Sequence, residues 1–174
     1  QIRAWSQQPA SILYYHAPDS LFYDRPPWNK ETISARIDVL SRLALHPSDS
    51  DCLNSSPSII VSSIWGLMTK TLPPLAVRRA AQQLATGDRL PMYEFMATCV
   101  NAGYEREPVV EQPGTLAQRG GIVDVYPPNL PFPIRIDFFG DEIDSIRAFD
   151  PATQRSQRKL TSVTLGPAAR AIAA

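Results

Sequence analysis

Little in this 174-residue sequence would serve chemistry. It has two histidines, His16 and His46, with no cysteine or further histidine at ligand spacing from either, so no zinc site is expected. It has two cysteines, Cys52 and Cys99, too few and too far apart for a secreted disulfide framework, and they read as free thiols. No G-x-x-x-x-G-K-[ST] and no G-x-G-x-x-G occurs, so nothing would cradle a phosphate. No serine sits in a nucleophile-elbow context. Neither sign of charge is in excess: 17 Lys and Arg face 17 Asp and Glu, whereas a general nucleic-acid binder carries a basic surplus. No run of 18 apolar residues is present, which excludes a transmembrane helix. The opening QIRAWSQQ lacks a methionine and any start signal, and reads as a piece cut from a longer protein.

What is present is a globular composition, 44% apolar, punctuated by 17 prolines. Residues 11–18 read as a short buried strand. Asn29 can cap a helix over 30–44 whose stripe is Ile33, Ile37, Leu40 and Ala44, with Arg36 and Asp38 off it. Residues 46–58 read as a polar loop. SIIVSS reads as a second buried strand, and IWGLMTKTL as a helical turn or two ended by Pro73 and Pro74. Strand, helix, strand, helix is an α/β pattern, incomplete as a sheet by itself.

Beyond Pro74 the character changes. Residues 75–90 are ambiguous between helix and turn. From Pro91, suited to a first helical position, Met92, Phe95, Met96, Cys99 and Val100 make one stripe, and Gly103 is a C-terminal cap. Then the period becomes two. YEREPVVEQ and GTLAQR read as strands joined at Pro113-Gly114. GIVDVYP and PIRIDFF follow, EIDSIRAF is a hairpin partner across Gly140-Asp141, and SVTLGP is a last strand, giving an α+β unit. Asp137, Asp141, Glu142 and Asp144 make an acidic cluster without calcium-loop spacing; Asp137 is expected to face solvent at a hairpin end. No catalytic constellation emerges.

In IRIDFF, Ile134, Ile136 and Phe138 share the core face, which places Arg135 and Phe139 on the other. Arg119 precedes two glycines that leave it uncovered. Two readings stay open: another element covers this face, or the face binds a partner, since aromatics and arginine are enriched at interface hot spots. On the second reading, truncating Arg119, Arg135 or Phe139 leaves stability within about 0.5 kcal/mol, and Phe138→Ala costs about 3–5 kcal/mol.

QRGGIVDVYPP, PIRIDFFGDEIDSIRAFDPATQRS, GDRL, AGYERE, LFYDRPPW, ISARIDVLSRL and IIVSSIWGLM together resemble, over nearly the whole chain, the region shared by UvrB and the transcription-repair coupling factors. Residues 21–43 leave no room for the tyrosine-rich hairpin of UvrB, so the likeness falls on the coupling factors, with UvrB itself as one alternative and a nucleic-acid-binding module as another. The resemblance implies a partial motor-like, RecA-like domain 1A without a Walker motif over 1–75, and an α/β piece there. It implies a UvrB-type domain 2 of helix plus antiparallel sheet over 76–165, meeting the first near residues 73–77, and a return segment over 166–174. It implies a strand near 81–86. It implies UvrA as partner, contacted by Arg119, Arg135 and Phe139, on a surface that the parent's last domain covers. The parent would be a cytoplasmic bacterial ATP-dependent DNA translocase, using ATP and Mg2+ in domains outside this chain and engaging RNA polymerase and double-stranded DNA. This piece would bind no cofactor and catalyse nothing.

Overall fold

The computed structural model describes residues 12–17, 28–45 and 59–168. The expected loop at 46–58, with Cys52 and His46, and the segment 169–174 lie outside them.

Two strands, β1 (Ile12–Tyr15) and β2 (Ile59–Ser62), pair in parallel, Ile12 beside Ile59 and Tyr15 beside Ser62. Between them in sequence runs α1 (Lys30–Ala44), which starts where the cap is: the Asn29 side chain accepts from the Glu31 amide at 3.1 Å. Ile37 and Ala44 are buried as expected, but the buried face also takes Arg36 and Val39, leaving Ile33 and Leu40 half-covered. Arg36 is fully buried. Its charge is partly met: Nη1 donates to the carbonyls of His16 at 2.7 Å and Gly66 at 3.3 Å, and the guanidinium sits 4.1 Å from the Tyr15 ring centroid and 5.1 Å from that of Trp28, while Nε and Nη2 have no hydrogen-bond partner among the described residues. Burial still lowers its pKa, and apolar periodicity gives no sign that a charged residue joins the helix's inner face. β2 is more open than expected, Ile59 being 52% exposed, whereas Ile12, Leu13 and Tyr15 of β1 are buried.

α2 (Ile64–Met68) is capped by Ser63. Pro74 does not end a helix but begins one, α3 (Pro74–Ala80), as its missing N–H allows. Arg78 of α3 donates to the Ala44 carbonyl at 2.7 Å and so closes the C-terminus of α1. The ambiguity at 75–90 resolves as this helix followed by β3 (Gln82–Ala85), in line with the resemblance. The chain turns there because Gly87 has φ 91° and Asp88 accepts from the Ala85 amide at 2.7 Å.

The second unit is a helix on a sheet. α4 (Met92–Asn101) buries Phe95, Met96 and Cys99. Pro91 stands one place earlier than expected, as the N-cap, its carbonyl accepting from Phe95 at 3.1 Å. At the other end Tyr104 donates to Cys99 and Gly103 to Val100, both at 3.0 Å, with Gly103 at φ 98°: a Schellman closure that needs the left-handed glycine. β4 (Glu105–Arg106), β5 (Thr115–Arg119), β6 (Ile122–Tyr126), β7 (Ile134–Phe139), β8 (Glu142–Phe149) and β9 (Ser156–Leu160) form a six-stranded sheet in sequence order. β10 (Ser162–Leu165) pairs antiparallel with β3. Leu116, Val123, Val125, Ile134, Ile136, Ile143 and Ile146 from the sheet meet α4 and the β3–β10 pair in one core.

Two expectations fail here. The strand expected over 104–112 shrinks to two residues and runs parallel to β5, not antiparallel across a Pro113-Gly114 turn. The intervening chain curls to the sheet's other face, where Val110 packs with Ala117, Phe149 and Tyr126. β9 was not expected at all: SQRKL is almost wholly exposed and polar, an edge strand with no alternation to betray it.

Candidate functional site

Two tight turns meet at one edge of the sheet. β5 and β6 are joined by Gly120-Gly121, with Gly120 at φ 60°, and β7 and β8 by Gly140-Asp141, with Gly140 at φ 61°. A glycine at positive φ in the first central position is what a II′ hairpin loop requires. The turns are tied together: Phe138 donates to the Gly121 carbonyl at 2.8 Å, and a Cβ on Gly121 would stand 3.0 Å from the Phe138 carbonyl. A side chain there would press on the carbonyl and push the turns apart.

Phe139 closes β7 at this edge and is 84% exposed. Alternation along β7 sets it there; the register shift nearby, Asp137 opposing Ser145 but Phe138 opposing Ile143, places its extra residue, Asp144, on β8. Phe138 turns inward against the core, half-buried, its ring 5.8 Å from that of Phe95. Arg119, at the end of β5, is exposed and has no ion-pair partner among the described residues.

Arg135 is placed differently from these two. It lies on the face opposite Ile134 and Ile136, as alternation requires, but that face is not bare. Its Nε and Nη2 donate to the two carboxylate oxygens of Asp124 at 2.7 and 2.8 Å, Nη1 donates to the Gln154 carbonyl at 3.2 Å, and the guanidinium lies 4.7 Å from the Phe149 ring centroid. Its side chain is 16% exposed and that of Asp124 1%. The hydrogen bonds it donates to Asp124 hold its pKa above the ordinary value. Asp137, expected to face solvent, is bound by Arg147 and Ser145 instead. Residues of β6, β7 and β8 thus form a polar ladder across the sheet, Asp124 directly opposite Arg135 and Asp137 paired diagonally with Arg147.

The remaining acidic residues, Asp141, Glu142 and Asp144, are exposed, and among the described residues no cluster is arranged to hold a metal. His16 packs edge-on to Tyr14 at 4.4 Å. Cys99 is buried, which pushes its thiol up to about 12. Sequence reasoning missed a recess beside Phe139, lined by Arg89, Pro91, Asp141 and Glu142, because residues 50 apart in sequence line it. Nothing local signals it. The arrangement has the parts of a contact surface: an exposed aromatic on one turn, an exposed guanidinium on the other and a hydrogen-bonded polar underlay.

A family model described as the UvrB interaction domain matches residues 83–170. Among curated proteins, the transcription-repair-coupling factor of Bacillus subtilis is 33% identical over 159 residues, covering 91% of this chain and 13% of that protein. That of Myxococcus xanthus is 39% identical over 157 residues, 90% of this chain and 12% of the relative. That of Haemophilus influenzae is 34% identical over 150 residues, 86% and 12%. The chain therefore spans about an eighth of the length of the curated relatives it matches.

Proposed function

The chain belongs to the UvrB interaction domain family, and from that premise we propose that its double hairpin tip is the surface on which UvrA docks. The single observation behind this reading is Phe139, a large aromatic 84% exposed at the end of β7. Leaving such a ring in water forgoes the roughly 1.5–3 kcal/mol that burial would return, and docking would recover it. Arg119 supplies a charge at the β5–β6 turn. Arg135 contributes from behind: three of its N–H groups are taken by Asp124 and Gln154, so it stiffens the face and offers a partner only what remains.

In this reading residues 76–165 are the interaction domain of a transcription-repair coupling factor, recruiting UvrA in transcription-coupled nucleotide excision repair in the bacterial cytoplasm. The longer protein would supply an ATP-driven DNA translocase with its Mg2+, and the contacts with RNA polymerase and double-stranded DNA. The chain itself, lacking a phosphate loop, would not turn over ATP.

Phe139→Ala tests the reading. UvrA affinity should fall by about 1–3 kcal/mol, mainly through faster dissociation, with the melting temperature unchanged, because the ring packs on little. Normal affinity in a folded Phe139→Ala protein would refute it.

A further inference from the structure

Gly87 donates to the Ile143 carbonyl at 2.8 Å, Ile143 to that of Asp88 at 2.9 Å, and Leu90 to that of Asp141 at 2.7 Å. Residues 87–91 therefore run as a short extra edge along the start of β8, with Arg89 bridging Glu142. This pairing brings the first turn of α4 beside the β7–β8 tip. The recess between them has Pro91 and Phe139 as apolar walls and Asp141 and Glu142 at its rim. Tyr93, in that first turn, is 71% exposed. Its hydroxyl donates to Glu94 at 2.8 Å, and Glu94 first, with Asp141 adding to it, keeps the phenol above its ordinary pKa. Negative potential thus extends from the rim onto the helix.

We infer that this recess seats a basic side chain of the docking partner, an arginine or lysine lying over the Phe139 ring and beside the Asp141 and Glu142 carboxylates; the inference rests on the reading of the tip as the UvrA surface. Charge complementarity selects that occupant. In the recess Asp141 and Glu142 outnumber the one cation, Arg89, so an apolar segment docking here would bury a carboxylate without a partner. A nucleic-acid phosphate would meet the same carboxylates and be repelled. A guanidinium or ammonium satisfies them and gains the negative face of an aromatic ring. Among the described residues the cation–ring contacts are made by Arg36, Arg135 and Arg158, and none involves Phe139 or Tyr93. The tip then carries two signs, Arg119 on one turn and acid on the other, which fixes the direction in which a partner of opposite pattern lies down.

The test titrates purified UvrA onto the 174-residue chain at low and high salt, comparing wild type, Phe139→Ala and the double variant Asp141→Asn with Glu142→Gln. Among the described residues neither carboxylate accepts a hydrogen bond, so the double variant should keep its fold, which its melting temperature verifies. Its affinity is expected to fall about tenfold and to lose part of its salt dependence, and Asp141→Lys with Glu142→Lys should fall further. A double variant that binds like wild type while Phe139→Ala binds weakly overturns the basic-side-chain seat and leaves the UvrA surface standing. A Phe139→Ala protein that binds like wild type overturns the surface, and the seat with it.

Discussion

Arg135→Ala is expected to unfold this protein more readily, contrary to what an outward-facing residue suggests. Truncation leaves the Asp124 carboxylate, 1% exposed, without both of its charge-assisted donors. Breaking a buried pair from one side costs about 3–5 kcal/mol, and because the Arg135 side chain is 16% exposed the lower end applies, about 3 kcal/mol. Asp124→Ala should cost less, about 2 kcal/mol, because the guanidinium keeps the Gln154 carbonyl and the Phe149 ring and can reach water. The double variant should resemble Arg135→Ala alone, leaving a coupling of roughly 2 kcal/mol between the two sites. Urea denaturation of the four proteins measures this cycle, with an unchanged m-value confirming that only stability moved. In a thermal melt Arg135→Ala should lose roughly 6–12 °C. A cost below about 1 kcal/mol for Arg135→Ala, or strict additivity, would refute the reasoning and return Arg135 to the free surface. Weak UvrA binding by Arg135→Ala is for the same reason no measure of a direct contact, and Phe139 is the cleaner probe.

Phe138→Ala should cost about 2–3 kcal/mol in the same urea assay, less than a fully buried phenylalanine, because the ring is half-covered and leans on Phe95 at one side. Gly121→Ala should cost about 1–2 kcal/mol and loosen the tip, since its Cβ meets a backbone carbonyl at 3.0 Å that cannot swing aside; amide exchange at Phe138, which donates to Gly121, reads the loosening, and an unchanged rate would count against it. In a Cys52→Ser background, Cys99 should resist thiol reagents at pH 8: with its pKa at about 12 only ~1 in 10,000 molecules is thiolate, and labelling should proceed at the rate of unfolding. Fast labelling in native buffer would show that the site opens locally.

Some of this molecule is written in short stretches of sequence. Asn29 before a 3.6-residue period determines α1, and the stripe from Met92 to Val100 with Gly103 after it determines α4. Gly120-Gly121 and Gly140-Asp141 determine the hairpins, and strict alternation from Ile134 to Phe139 determines which ring turns outward. These features rest on turn chemistry and periodicity, which act over a few residues. Other features had no local cause to read. Arg36 enters the core because carbonyls and rings from β1 and α2 are waiting for it. Arg135 leaves the open surface because Asp124 on β6 and Gln154 beyond β8 hold it there. β9 exists because β8 offers an edge, and the recess beside Phe139 because residues 87–91 pair across to Asp141 and Ile143. An unpaired buried charge or backbone group is expensive, so such groups take whatever partner the tertiary structure brings within reach, and that partner is rarely a neighbour in the chain.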